Sequence, residues 1–91
     1  METSVIITPN PYGFGRNWSL LVKTPGHTRS FYLGQDVKFC QRVLGMDPSY
    51  VVEQIGSNDL RKEETRNKLG EFIYDTLNLN EELINNMDEW E

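Results

Sequence analysis

The sequence predicts an α+β fold, in which a small antiparallel sheet is followed by three or four packed helices. Apolar and polar residues alternate with a period of about 2 in the first third of the chain, and after Gly34 the period becomes about 3.6. The chain has 91 residues, 37% of them hydrophobic, which is enough apolar material for one core. We therefore expect a single domain over residues 1–91, β-rich over 4–33 and helical over 36–90.

The β-rich part is expected to contain a hairpin and a third strand. Residues 18–23 and 28–33 alternate in polarity on either side of Pro25 and Gly26, a pair typical of a type II turn. Both faces of this hairpin carry apolar residues, so we expect one face to pack on the core. The other face is expected to be partly covered by a loop or by residues 4–8, whose β-branched side chains favour a third strand.

Helical periodicity predicts a first pair of helices after the sheet. Apolar residues recur at helical spacing over 37–44, where Gly45 ends the pattern, and again over 50–55. Asp47 and Pro48 supply the second helix with an N-cap and with a proline at its first position. This pair of helices should pack its apolar faces on the sheet.

The remaining helices are predicted in the acidic half of the chain. The polar residues 57–59 offer a helix cap, a charged segment follows, and a strongly amphipathic helix runs from Leu69 despite Gly70. Asn80 is expected to cap a short last helix, which is marginal in water unless its apolar face is docked on the core. That face consists of Leu79, Leu83, Ile84, Met87 and Trp90.

Charge is distributed unevenly along the chain. Residues 1–45 hold five Lys and Arg against two acidic residues, whereas residues 46–91 hold four against twelve, so the halves carry +3 and −8 within a total of −5. Such a distribution creates a dipolar field that steers a partner. No apolar run reaches the length of a membrane span and the first residues lack a signal-peptide pattern, so we expect a cytoplasmic protein without membrane contact.

The inventory of catalytic and metal-binding residues is small. Cys40, the one cysteine, lies on the apolar face of the first predicted helix, and His27, the one histidine, lies beside the hairpin turn. The acidic residues lack the spacing of a calcium loop, and the glycines around Phe14 precede a strand, whereas a dinucleotide-binding loop precedes a helix. We therefore expect no metal, no cofactor and no enzymatic activity.

Protein binding is the leading functional hypothesis, and the sequence leaves the oligomeric state open. Residues 59–91 carry ten acidic residues, and an acidic helical surface suits an inhibitor or adaptor that docks on a basic groove. Aromatic residues in the loop before the hairpin would add apolar contact area. The residues expected to contact the partner are Tyr12, Phe14, Glu63, Glu64, Glu71 and Asp75.

Nucleic-acid binding is the alternative hypothesis. Arg16, Lys23 and Arg29 are interleaved with aromatic residues in the β-rich part, and single-stranded nucleic acid stacks on such surfaces. Residues 37–55 place Gly45 in a turn between two helices, with apolar Met46 after it and with Val51 and Ile55 in the second helix. This segment resembles the helix-turn-helix of bacterial repressors, a resemblance that implies DNA reading by the second helix. That second helix contains no Lys or Arg, and Gln41 occupies a position that small residues take in the motif, so protein binding stays the preferred hypothesis.

Overall fold

The structure is a computed structural model that describes residues 2–10 and 17–87. In this part of the chain a three-stranded antiparallel sheet precedes four helices, which confirms the α+β class predicted from the sequence. The elements are β1 (Ser4–Pro9), β2 (Trp18–Thr24), β3 (His27–Gly34), α1 (Phe39–Leu44), α2 (Pro48–Ile55), α3 (Glu63–Leu79) and α4 (Glu81–Asn85).

The predicted hairpin is formed by β2 and β3. The turn between them consists of Pro25 and Gly26, and Gly26 has a φ of 85°, a left-handed value that a type II turn requires at its third position. Leu20 pairs with Phe31 across the hairpin and both are buried, so the period-2 pattern correctly identified the inner face.

β1 extends the sheet beside the hairpin. It pairs antiparallel with β2, from Ser4 opposite Lys23 to Pro9 opposite Trp18, and the sheet order is β1-β2-β3. The expectation that residues 4–8 cover the second face of the hairpin is therefore wrong. A strand satisfies its backbone donors and acceptors by pairing along an edge, which it cannot do when it lies across a face. Ile6, on the outer face, stays exposed.

One hydrophobic core joins the sheet to all four helices. The inner sheet face and the apolar stripe of each helix meet there, and each fully buried large side chain contributes about 1.5–3 kcal/mol relative to exposure. The buried hydrophobic residues are Leu20, Val22, Phe31, Leu33, Val37, Phe39, Cys40, Val43, Leu44, Val51, Ile55, Leu60, Leu69, Ile73, Leu77, Ile84 and Met87.

The first two helices form the predicted helical hairpin. α1 ends at Gly45, which has a φ of 67°. The Asp47 side chain accepts a hydrogen bond from the backbone N–H of Ser49 at 2.8 Å, and Pro48 occupies the first helical position, so the predicted cap of α2 is confirmed.

α3 begins before Leu69, where the amphipathic pattern starts, and the helix cap expected at residues 57–59 is wrong. The Asp59 carboxylate instead accepts hydrogen bonds from the backbone N–H of Arg61 at 3.0 Å and from its Nε at 2.8 Å. This local pair occupies the oxygens that a helix N-terminus would need. The helix starts at Glu63 without a side-chain cap, and the charged and amphipathic segments form one helix of 17 residues.

α4 is docked on the core. The Asn80 side chain accepts a hydrogen bond from the backbone N–H two residues later at 3.2 Å, which confirms the predicted cap. Ile84 is 8% exposed and Met87 is 2% exposed, as docking requires. Leu79 ends α3 and is 88% exposed, so the expectation that it joins this apolar face is wrong. Trp90 lies outside the described residues.

Candidate functional site

α3 packs beneath β1 and runs antiparallel to it. In the first turn of the helix, the Arg66 guanidinium lies over the Trp18 ring at 3.7 Å from its centroid, and Trp18 pairs with Pro9 at the end of β1. Tyr74, two turns further along the helix, lines a recess with Ser4 at the start of β1. The beginning of the helix therefore lies under the end of the strand.

An open groove of about 780 Å³ lies between β1 and α3. Val5, Ile6 and Ile7 line its strand side, and Trp18 lies beside them. The groove has the volume of known ligand clefts. The helix side is formed by Glu63, Arg66, Asn67, Gly70, Glu71, Tyr74 and Asp75.

The helix side of the groove is one continuous stripe of α3. Its members recur at steps of three and four residues from Glu63 to Asp75, which places them on the same side of a helix. Gly70 lies in the middle of this stripe, and a Cβ added there would have no atom within 4 Å. Glycine within a helix costs about 1 kcal/mol relative to alanine. At this position the missing side chain widens the groove.

The groove is acidic, and three of its carboxylates form no ion pair with another described residue. Glu63, Glu71 and Asp75 are exposed, and no ion pair involves them in the part of the chain that the structure describes. Like charges on adjacent turns of one helix repel each other unless a counter-charge arrives. A cationic partner would therefore gain favourable interactions with all three side chains.

The guanidinium of Arg66 is already engaged within the protein. Its Nη1 donates hydrogen bonds to the carbonyl oxygens of Leu60 at 2.8 Å and of Arg61 at 2.9 Å, while the guanidinium plane covers the ring of Trp18. These contacts direct the positive charge toward the loop before α3. Arg66 therefore anchors the helix and, within residues 2–10 and 17–87, forms no ion pair with the three carboxylates.

The structure brings together three of the six residues predicted to contact a protein partner. The three that line the groove are Glu63, Glu71 and Asp75. Glu64 lies on another side of α3, where its carboxylate contacts Lys68 Nζ at 3.1 Å. Tyr12 and Phe14 lie outside the described residues.

The basic residues of the nucleic-acid hypothesis are not brought together. Lys23 lies on the outer face of β2. Arg29 pairs with the buried residue Val22 and so lies on the inner face of the sheet, where its guanidinium is 5.9 Å from the centroid of the Phe31 ring. Arg16 lies outside the described residues. The two described basic side chains therefore emerge on opposite faces of the sheet.

The helix that would read DNA in a helix-turn-helix has no basic surface. α2 buries Val51 and Ile55 against the core and exposes Tyr50, Glu53 and Gln54. Its exposed face thus carries an acidic side chain where DNA-reading helices rely on basic neighbours.

The structure places Cys40 in the core and His27 on the surface. Cys40 is fully buried, and burial raises the pKa of its thiol to about 12, so the nucleophilic thiolate is scarce. His27 is exposed at the start of β3. Over residues 2–10 and 17–87, no cluster of His, Cys, Asp and Glu could hold a metal ion. No helix in this range has both the length and the apolar character needed to cross a membrane.

Several groove residues were not singled out from the sequence. Asn67 and Tyr74 carry no distinctive motif, and Arg66 was grouped with a generally charged segment. Gly70 was the one sequence signal that could have indicated the groove. A glycine inside a strongly amphipathic helix destabilises that helix, so its presence there suggests a role in packing or in function.

Comparison of the chain with protein-family models, with curated proteins and with solved structures finds no match. The geometry and charge of the groove are therefore the observations that bear on function.

Proposed function

We propose that this chain is a small binding module that holds a basic protein partner in the groove between β1 and α3. One observation carries the proposal: Glu63, Glu71 and Asp75 line a groove whose guanidinium group, that of Arg66, is already engaged. The module acts by contact, as an inhibitor or adaptor with a regulatory role, and performs no catalysis. A free, buried Cys40 suits the reducing conditions of the cytoplasm, where we place it.

A protein partner fits the groove better than a nucleic acid does. Nucleic-acid affinity depends largely on neutralising phosphates with Lys and Arg, and exposed carboxylates repel phosphates. Lys23 and Arg29 lie on opposite faces of the sheet, so a single nucleic-acid strand could not contact both of them at once. Basic protein segments gain from the same carboxylates through complementary charge.

A charge-reversal pair tests the proposal. Glu71→Lys reverses a charge inside the groove, and Glu64→Lys reverses one on another side of the same helix, so both variants change the net charge equally. Affinity capture from the native host, read by mass spectrometry, should recover basic proteins with the parent chain and with Glu64→Lys. Glu71→Lys should lose them. Equal recovery by all three proteins contradicts the proposal, provided that circular dichroism shows each variant folded.

Oligonucleotide binding tests the alternative. We expect no binding of single- or double-stranded oligonucleotides at low salt, because the acidic groove and the divided basic residues disfavour phosphate contact. Fluorescence anisotropy with labelled oligonucleotides measures this. A micromolar, salt-sensitive signal that Lys23→Ala weakens would favour nucleic-acid binding instead.

A further inference from the structure

Within residues 2–10 and 17–87, the backbone groups on the edge of β1 that faces away from β2 have no hydrogen-bond partner. The N–H of Asn10 donates to the carbonyl of Asn17 at 2.9 Å, which continues the β1–β2 register and identifies a hydrogen-bonded pair. Hydrogen-bonded and non-hydrogen-bonded pairs alternate in an antiparallel ladder. The even-numbered residues of β1 therefore bond to β2, whereas Val5 and Ile7 direct their N–H and C=O groups outward. Among the described residues, no backbone or side-chain partner accepts from or donates to these outward groups.

Pro9 agrees with this assignment. It follows Val5 and Ile7 in the alternation, so its nitrogen, which has no hydrogen, also faces outward and no ladder bond to β2 is lost. The open edge thus offers complete donor and acceptor pairs at two successive outward positions and then ends.

The groove lies along this open edge. Val5, Ile6 and Ile7 line it on the strand side, and the acidic stripe of α3 lines it on the other. A groove between a sheet edge and a helix is the arrangement in which some protein domains bind an extended peptide as an added strand. An added strand would lie about 4.8 Å from β1 and would run along α3.

The acidic side chains of the groove determine which side chains a bound peptide should carry. Successive side chains of a strand point to opposite faces, so alternate residues of an added strand would face α3. There they would meet Glu63, Glu71 and Asp75, with open space above Gly70. Lys or Arg at alternate positions satisfies these carboxylates, and the intervening residues would continue the outer face beside Ile6.

We infer that the groove binds an extended peptide with Lys or Arg at alternate positions, which pairs with β1 as a fourth strand of the sheet. This inference rests on the proposed function and adds the chemistry and conformation of the partner's contacting segment. Backbone pairing supplies a contact that is independent of the peptide's side chains, and the carboxylates select for basic sequences.

Backbone methylation of a synthetic peptide tests strand pairing. The probe is a labelled peptide of about eight residues in which Lys and Thr alternate, a typical strand length. Two further versions carry N-methyl groups on all lysine amides or on all threonine amides. Only one edge of an added strand faces β1, so one methylated peptide should lose binding by roughly tenfold or more and the other should keep it. Equal affinities for all three peptides overturn the inference.

Amide hydrogen exchange supplies a readout on the protein itself. In the free protein, the amides of Val5 and Ile7 should exchange rapidly, whereas those of Ile6 and Thr8 are protected by β2. Adding the unmethylated peptide should protect Val5 and Ile7. If the peptide binds and these two amides stay unprotected, the inference is overturned.

A groove-filling variant and a matched control complete the experiment. Gly70→Leu places a side chain in the groove, whereas Asn78→Leu places the same side chain at an exposed position of α3 outside it. We expect Gly70→Leu to weaken peptide binding roughly tenfold and Asn78→Leu to leave it unchanged. Equal binding by both variants overturns the inference.

The two proposals fail in different ways. Binding that is lost in Glu71→Lys and is indifferent to peptide methylation would retain the proposed function and overturn strand addition. Capture of basic proteins that does not depend on Glu71 would overturn the proposed function itself.

Discussion

At the scale of single residues, Arg66 connects three parts of the molecule. Its guanidinium packs on Trp18 of the sheet, donates to the carbonyl groups of the loop before α3, and belongs to the first turn of that helix. Lysine could carry the charge to this position, but it lacks the planar group that stacks on the ring while donating to two acceptors.

Replacing Arg66 should therefore destabilise the fold. We expect Arg66→Ala to lower the free energy of unfolding by about 2 kcal/mol, because it removes a ring contact and charged hydrogen bonds. The free energy of unfolding of Arg66→Lys should lie between those of Arg66→Ala and the parent protein. Urea unfolding followed by circular dichroism measures these differences. The control is Lys68→Ala, whose exposed ion pair with Glu64 is worth only a few tenths of a kcal/mol. Equal effects of Arg66→Ala and Lys68→Ala would contradict the anchoring role.

The buried thiol of Cys40 gives the protein a pH dependence in the alkaline range. Burial raises the thiol pKa from the ordinary 9.0 to about 12. Between these values the unfolded chain releases the thiol proton and the folded chain keeps it, so the free energy of unfolding falls as pH rises from 9.0 to about 12. Urea titrations over this range should show a steeper decline for the parent than for Cys40→Ala. Parallel curves for the two proteins would show that the thiol contributes nothing to the decline.

At the scale of elements, α4 depends on its own buried residue Ile84 and on Met87, which lies two residues after the end of the helix. The helix has five residues, too few to be stable without packing. Ile84 and Met87 supply that packing, while Leu79, immediately before the helix, faces solvent.

Truncating these contacts should weaken the whole domain. Met87→Ala should lower the free energy of unfolding by about 2 kcal/mol or more, as expected for a buried methionine, and ending the chain at Asn80 should lower the melting temperature further. Leu79→Ala, at an 88% exposed position, is the matched control and should leave the melting temperature nearly unchanged. Thermal unfolding by circular dichroism measures all three. An unchanged midpoint after truncation would mean that α4 is not part of the cooperative unit.

Some features of the helices and strands could be predicted from the sequence and others could not. Period-2 alternation identified β2 and β3, β-branched residues identified β1, and Asp47 with Pro48 identified the start of α2, because these signals are local. The placement of β1 beside β2 was not predictable, since alternation does not state which neighbour a strand pairs with. The start of α3 was misread because Asp59 hydrogen-bonds to Arg61, a competition that a capping rule does not include.

The candidate site was predictable in part for the same reason. Acidic side chains on α3 were visible in the sequence, and helical spacing places Glu63, Glu71 and Asp75 on one side. This side of α3 faces the free edge of β1 because of how the helix packs on the sheet, and no local sequence pattern indicates that packing. Glu64 was predicted with them but lies on another side of α3, because it directly follows Glu63 and consecutive residues of a helix point in different directions.

At the scale of the whole molecule, the net charge of −5 is less informative than its placement. The acidic second half of the sequence supplies α3, which carries three exposed carboxylates along the groove, whereas the basic residues Lys23 and Arg29 emerge on different faces of the sheet. Three acidic side chains therefore lie together beside the outer edge of β1.

This arrangement predicts a salt-dependent affinity. Exposed charges are screened over about 8 Å at physiological ionic strength, so the alternating Lys-Thr peptide should bind more weakly as sodium chloride is raised. Fluorescence anisotropy over a salt series measures the slope, and Glu71→Gln should make that slope shallower than Glu64→Gln does. An affinity that is independent of salt would instead indicate that apolar contacts dominate in the groove.

The open edge of β1 also affects how copies of this chain meet each other. An unpaired sheet edge ordinarily invites identical molecules to join edge to edge and aggregate, and proteins prevent this with charged side chains or proline. Two copies that paired through β1 would bring two acidic stripes together, and Pro9 would remove a donor from each. We therefore expect the protein to stay monomeric with respect to sheet-edge pairing even in concentrated solution. Glu71→Lys lessens the repulsion between the two acidic stripes, so this variant should assemble through its sheet edges at lower concentrations than the parent protein.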